Sequence, residues 1–142
     1  MLSLAALLAG AVGCSSDLPS LSDEDAAACA ELTAALPDRV AGEDRSDDSD
    51  RTAAWGGIEL TCGVELPAAY DDFASCSVVG GVGWFLPPAE LEDPSADILV
   101  TALTYSPRVS VLIPADLRGS DEIQAEIAPA IRKTLTEGDP CL

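Results

Sequence analysis

The sequence predicts an α+β fold: a four- to five-stranded antiparallel sheet with two helices on one face, in the order α-β-β-β-β-α, stapled by disulfides. Three observations lead there. Apolar residues recur at helical spacing in two segments, one near each end of the chain. Between them, short runs alternate apolar and polar side chains and are punctuated by Gly and Pro. Four cysteines are spread through these segments, apart from a fifth near the N-terminus.

The first helix begins at Ser22, a hydroxyl N-cap followed by Asp23, Glu24 and Asp25, whose charges favour the positive end of the helix dipole. It runs to Leu36 and stops before Pro37. Cys29, Leu32 and Leu36 share one face, so Cys29 is expected to point inward. Residues 38–53 are polar and acidic and read as a mobile loop.

Ile58, Leu60, Cys62 and Val64 alternate with Glu59 and Thr61, the pattern of a half-buried strand. Residues 76–79 and 82–85 then form a hairpin about Gly80-Gly81, because a two-residue turn needs positive φ angles that glycine adopts freely. Residues 98–105 and 109–113 make two more strands, joined through Ser106-Pro107-Arg108. The last helix is capped by Ser120 and carries Ile123, Ile127, Ile131 and Leu135 on one face. Pro129 should kink or divide it, since proline removes a backbone donor.

The N-terminus is different in kind. Residues 2–13 read LSLAALLAGAVG, an apolar run too short for a bilayer, which takes about 20 residues, but suited to a signal peptide. Ala11-Val12-Gly13-Cys14 fits the pattern of a lipoprotein cleavage site: small residues before the cut, then a thiol to carry the lipid. The expected organisation is a signal peptide over 1–13, a lipidated Cys14 with its tether over 14–21, and a single domain over 22–142. No Lys or Arg precedes Arg39, so the basic start of such a peptide is expected from a start codon upstream of Met1.

With Cys14 set aside, Cys29, Cys62, Cys76 and Cys141 are an even set, as an oxidising compartment predicts, and permit three connectivities. The element order favours Cys29–Cys141, clipping the two helices, and Cys62–Cys76, joining the first strand to the hairpin. No pair has the spacing of a zinc ribbon or a redox dithiol.

Composition narrows the chemistry. The formal net charge is −18, from 25 acidic against 7 basic residues, which repels the phosphates of nucleic acid. Histidine is absent, so Ser-His-Asp and Cys-His catalysis and imidazole metal ligands are excluded. No catalytic residue, metal or cofactor is assigned. Asp48, Asp50, Thr52 and Glu59 stand at the first, third, fifth and twelfth places of an EF-hand-like loop, but Ala53 occupies the sixth, where the sharp turn needs glycine. Gly80-Gly81-Val82-Gly83 leads into a strand rather than a helix, so it is a turn and not a phosphate loop. Three residues remain as ligand-contact candidates: Trp55 and Trp84 for stacking on a sugar or peptide, and Arg108 for a carboxylate or another anion.

Several short motifs together resemble a known family. They are Cys29-x-x-Leu32 with Leu36-Pro37, then Ala54-Trp55-Gly56, Leu60-Thr61-Cys62-Gly63-Val64 and Pro67. Cys76-x-x-Val79-x-Gly81-Val82-x-Trp84 follows, then Arg108-x-Ser110-Val111 and Pro114. Across most of residues 26–135 this pattern resembles the uncharacterised actinobacterial domain-of-unknown-function family 3515, of exported or membrane-anchored proteins. One departure is Gly80, where the pattern expects Asn or Asp. The resemblance implies export and an envelope setting, and it transfers no catalytic residue.

The resulting functional expectation is a membrane-tethered envelope lipoprotein on the extracytoplasmic face. It would act by binding an envelope protein or glycan, or as an accessory. The rival is a small carboxylate-dependent hydrolase of cell-wall glycan or peptide, which needs two acids about 5–10 Å apart across a cleft.

Overall fold

The computed structural model describes residues 18–141. Helix α1 (Asp23–Ala35) is followed by β1 (Arg39–Val40), β2 (Glu43–Asp48), β3 (Thr52–Trp55) and β4 (Ile58–Cys62). Then come β5 (Cys76–Val79), β6 (Val82–Phe85), the short helix α2 (Pro88–Glu92), β7 (Ile98–Ala102) and β8 (Tyr105–Ser106). β9 (Val109–Ile113), a 3-10 turn (Ala115–Leu117), α3 (Glu122–Thr134) and β10 (Thr136–Glu137) complete the chain.

The expected four- to five-stranded sheet is corrected by this topology. Eight strands form one antiparallel sheet in the order β1-β2-β3-β4-β9-β7-β6-β5, and β8 pairs with β10 in a second, two-stranded sheet. The sheet is built from an N-terminal meander and a C-terminal one, joined where β4 pairs with β9. The alternation over 58–62 buries Ile58, Leu60 and Cys62 on one side. Across the join, Leu60 stands beside Val111, and Val111 beside Val100. α1 and α3 pack on each other, and Leu32, Ile127 and Ile131 are fully buried in the same core as these strand residues.

Helix α1 follows its sequence signals closely. Ser22 Oγ accepts the Asp25 N–H at 3.1 Å, and the chain turns extended at Leu36, before Pro37. Helix α3 starts two residues beyond Ser120 and runs through Pro129 without division. Proline forfeits one backbone hydrogen bond there, but the buried Ile123, Ile127 and Ile131 on the inner face hold both halves to the core. The Gly80-Gly81 turn forms as expected, with φ of 62° and 81°, and Val79 opposite Val82.

The segment read as a mobile loop, residues 38–53, instead contributes β1, β2 and the start of β3. Strand β2 has no apolar alternation because none of its side chains is buried. Backbone pairing to β3 holds it, and so does Arg45, whose Nη2 donates to the Thr33 carbonyl at 2.8 Å. Its charged surface suits a strand near a sheet edge, where acids discourage pairing with other chains.

The cysteine pairing is corrected too. Cys29 bonds Cys62, with Cα atoms 5.6 Å apart, and Cys76 bonds Cys141, at 5.8 Å. A Cys62–Cys76 bond is impossible for two reasons. Three strands separate β4 from β5 in the sheet order, a distance of about 19 Å at the usual strand spacing. The register also places Cys62 in line with Val109, Ala102, Trp84 and Ser77, so Cys76 projects from the opposite face.

Candidate functional site

The chain leaves β4 through Gly63, whose N–H, like that of Val64, donates to the Arg108 carbonyl. Arg51 secures the same corner, with Nε and Nη2 donating to the carbonyls of Cys62 and Gly63 at 2.9 and 2.7 Å. Residues 64–75 then cross to β5. Their anchor on the sheet is Tyr70, whose ring meets Phe85 edge-on at 5.6 Å.

At the other end of the chain, β10 pairs with β8, and the Gly138 N–H donates to the Thr104 carbonyl at 2.7 Å. The Cys76–Cys141 bond then ties the tail to β5. The crossing segment, the β7–β8 link and this tail border an open cavity of about 540 Å³, with Asp72 and Asp139 exposed at its rim. Leu66, Tyr70, Leu103 and Pro140 supply its apolar lining, and Asp72, Asp139, Thr104 and Arg108 its polar lining. A smaller cavity of about 310 Å³ adjoins it and shares Leu103 and Arg108.

Arg108 is the lining residue with most unused hydrogen-bonding capacity. Its Nη1 donates to the Val64 carbonyl at a long 3.4 Å, and its Nε is buried without a partner. By contrast, Arg118 makes three bonds of 2.6 to 2.9 Å to the carbonyls of Asp93, Ala96 and Glu90. The ion pairs among the described residues join Arg39 to Asp44 and Arg45 to Asp48, and neither involves Arg108. The cavity therefore holds one guanidinium and two carboxylates that are not paired with one another.

The other sequence candidates lie elsewhere. Trp55 and Trp84 are both 0% exposed, which corrects the expectation of stacking surfaces. Their indole N–H groups donate to the carbonyls of Pro37 and Val79, at 2.9 and 3.4 Å. A buried aromatic needs such a partner for its polar edge, so both are accounted for by the core. Cys14 lies outside the described residues. Asp48, Asp50, Thr52 and Glu59 fall on a β2–β3 turn and on β4, where Ser49 Oγ and Thr52 Oγ1 hydrogen-bond to each other at 2.7 Å.

In the sequence Asp72, in the Asp71-Asp72 pair, reads as an ordinary loop acid and Asp139 carries no signal, because acids are abundant and neither stands in a motif. The nearest signal was proximity in sequence to Tyr70 and Cys141. The Cys76–Cys141 bond, absent from the expected pairing, brings them to one cavity.

A family model described as "Protein of unknown function (DUF3515)" matches residues 11–140. The chain belongs to this DUF3515 family. The match spans Cys14 and every residue of the Arg108 cavity except Cys141. No curated protein and no solved structure matches this DUF3515 chain. Among its described residues, no helix is long and apolar enough to cross a membrane.

Proposed function

We propose that this DUF3515 member is an exported envelope module that acts by binding, tethered to the outer face of the membrane by lipid on Cys14. The observation that carries the binding reading is the cavity beside Arg108, which offers separated, unpaired charges and an apolar wall. Concave sites of roughly 300–1,000 Å³ with a few convergent polar groups are the usual form of small-ligand sites. Export is supported by the cysteine accounting. The four cysteines of the domain are all bonded, as in proteins folded under oxidising conditions, which leaves Cys14 as the odd thiol. The apolar run before it supports removal of residues 1–13 on export.

Two measurements test the two halves. Mass spectrometry of the mature N-terminus from the membrane fraction is expected to find diacylated Cys14, and any other N-terminus removes the tether. A photo-crosslinking residue at Leu66, on the cavity wall, is expected to capture adducts in the native host that one at exposed Glu24 does not. Identical adducts from both positions would remove the cavity as a binding site.

A further inference from the structure

The geometry points to a short zwitterionic peptide, or a free amino acid, as the ligand class of the Arg108 cavity: its carboxylate on Arg108 and its ammonium on Asp72 and Asp139. This rests on the binding reading above and names what is bound.

The argument starts from charge. Among the described residues the Arg108 guanidinium makes one long bond, from Nη1 to the Val64 carbonyl, so its terminal N–H groups remain to hold a carboxylate in the cavity. A simple anion, however, must approach a protein of net charge −18 and enter a cavity that also holds two carboxylates. Both acids repel it. A simple cation meets Arg108 in turn. A ligand carrying both charges satisfies all three groups at once, and they make no ion pair with one another that it would have to break.

The rest of the lining fits the same class. Leu66, Tyr70 and Leu103 provide an apolar surface for a side chain. The volume of about 540 Å³ exceeds what one amino acid fills and leaves room for a second or third residue. Tyr70 rests edge-on against the buried Phe85, which supports this wall from the sheet side.

The test uses the full chain in nonionic detergent micelles, with alanyl-leucine as probe and calorimetry and amide NMR shifts as readouts. Alanyl-leucine is expected to bind and to shift the amides of Leu103, Thr104 and Gly138. Acetylating its amine or amidating its carboxyl should each weaken binding by about tenfold or more, the loss of one charged contact. Arg108→Gln should abolish discrimination between the free and amidated carboxyl, and Asp139→Asn should reduce discrimination between the free and acetylated amine. Binding of the doubly capped peptide as tightly as the free one overturns the proposal, and so does the absence of shifts at millimolar peptide. Because the capped probes are compared on the unaltered protein, the test survives a variant that fails to fold. If the peptide fails while Leu66 still captures cavity-specific adducts, the ligand class is wrong and the binding reading stands.

Discussion

The bond between Cys76 and Cys141 crosses directly over Gly83. A Cβ at that glycine would collide with the Cys141 sulfur, lie 2.6 Å from Thr104 Cγ2 and lie 3.1 Å from the Cys76 sulfur. Gly83 is thus required by close approach of the disulfide, and the disulfide in turn closes one wall of the Arg108 cavity. Gly83→Ala is expected to cost about 1–3 kcal/mol, the usual price of overpacking a filled site. Urea unfolding under oxidising conditions measures it, and unchanged stability would show that the tail has room to move.

Cys29→Ala with Cys62→Ala tests the other bond. It closes a separation of 33 residues between α1 and β4. Chain-entropy reasoning gives about 3–4 kcal/mol for a loop of that length. The paired substitution leaves no free thiol and should lower the thermal midpoint. A reduction that leaves the midpoint where it was would mean that the α1–β4 contact is held by packing alone.

Ala41 occupies the β1–β2 turn at φ 50°, a left-handed conformation that costs a residue with Cβ about 1–2 kcal/mol. Its N–H donates to Glu126 Oε2 of α3 at 2.8 Å, which fixes the strained turn to the helix. Ala41→Gly should therefore raise stability by about 0.5–1 kcal/mol, less than the full strain because glycine is freer when unfolded. Glu126→Ala should lower it. Equal melting temperatures for Ala41→Gly and the parent would contradict the strain.

Strand β6 pairs with β7 only at Trp84 and Phe85, so the Leu99 N–H finds its acceptor in Glu90 Oε2 of α2, at 3.0 Å. Arg118 holds that helix through the Glu90 carbonyl and the loop after it through those of Asp93 and Ala96. Arg118→Ala is expected to destabilise the protein by about 1–3 kcal/mol, as charged donors to carbonyls do, and to speed exchange at the Leu99 amide. Exchange at Val111, in the middle of the sheet, should change only as far as global stability does.

Asp93 accepts from both the hydroxyl and the N–H of Ser95, at 2.6 and 3.0 Å, and this holds its carboxyl below the ordinary aspartate range. A depressed folded-state pKa contributes stability above the unfolded value and loses it as pH falls through the folded one. A carbon NMR titration should therefore find Asp93 ionised to lower pH than an ordinary aspartate. Ser95→Ala should move its midpoint upward. No movement would assign the depression to the backbone N–H of residue 95 and to Arg118 instead.

The parts of the fold legible in the sequence were those with local signals. Ser22 with its acidic turn, the Gly80-Gly81 pair, and the alternation from Ile58 to Cys62 each name their own structure within a few residues. Strand β2 was not legible, because an exposed acidic strand carries no hydrophobic period and depends on β3 and Arg45. The candidate site was legible only at Arg108. Its partners Asp72 and Asp139 are ordinary acids until the crossing segment and the tail fold back together.

The sequence by itself determined the charge, the exclusion of histidine chemistry, the even cysteine set beyond Cys14, the two long helices and the family membership. All of these are written in composition or in neighbouring residues. Tertiary structure decided strand order, disulfide pairing, the burial of Trp55 and Trp84, and the meeting of three unpaired charges in one cavity. Those depend on which distant segments lie side by side, and the pairing of β4 with β9 rather than β5 sets that for most of the sheet.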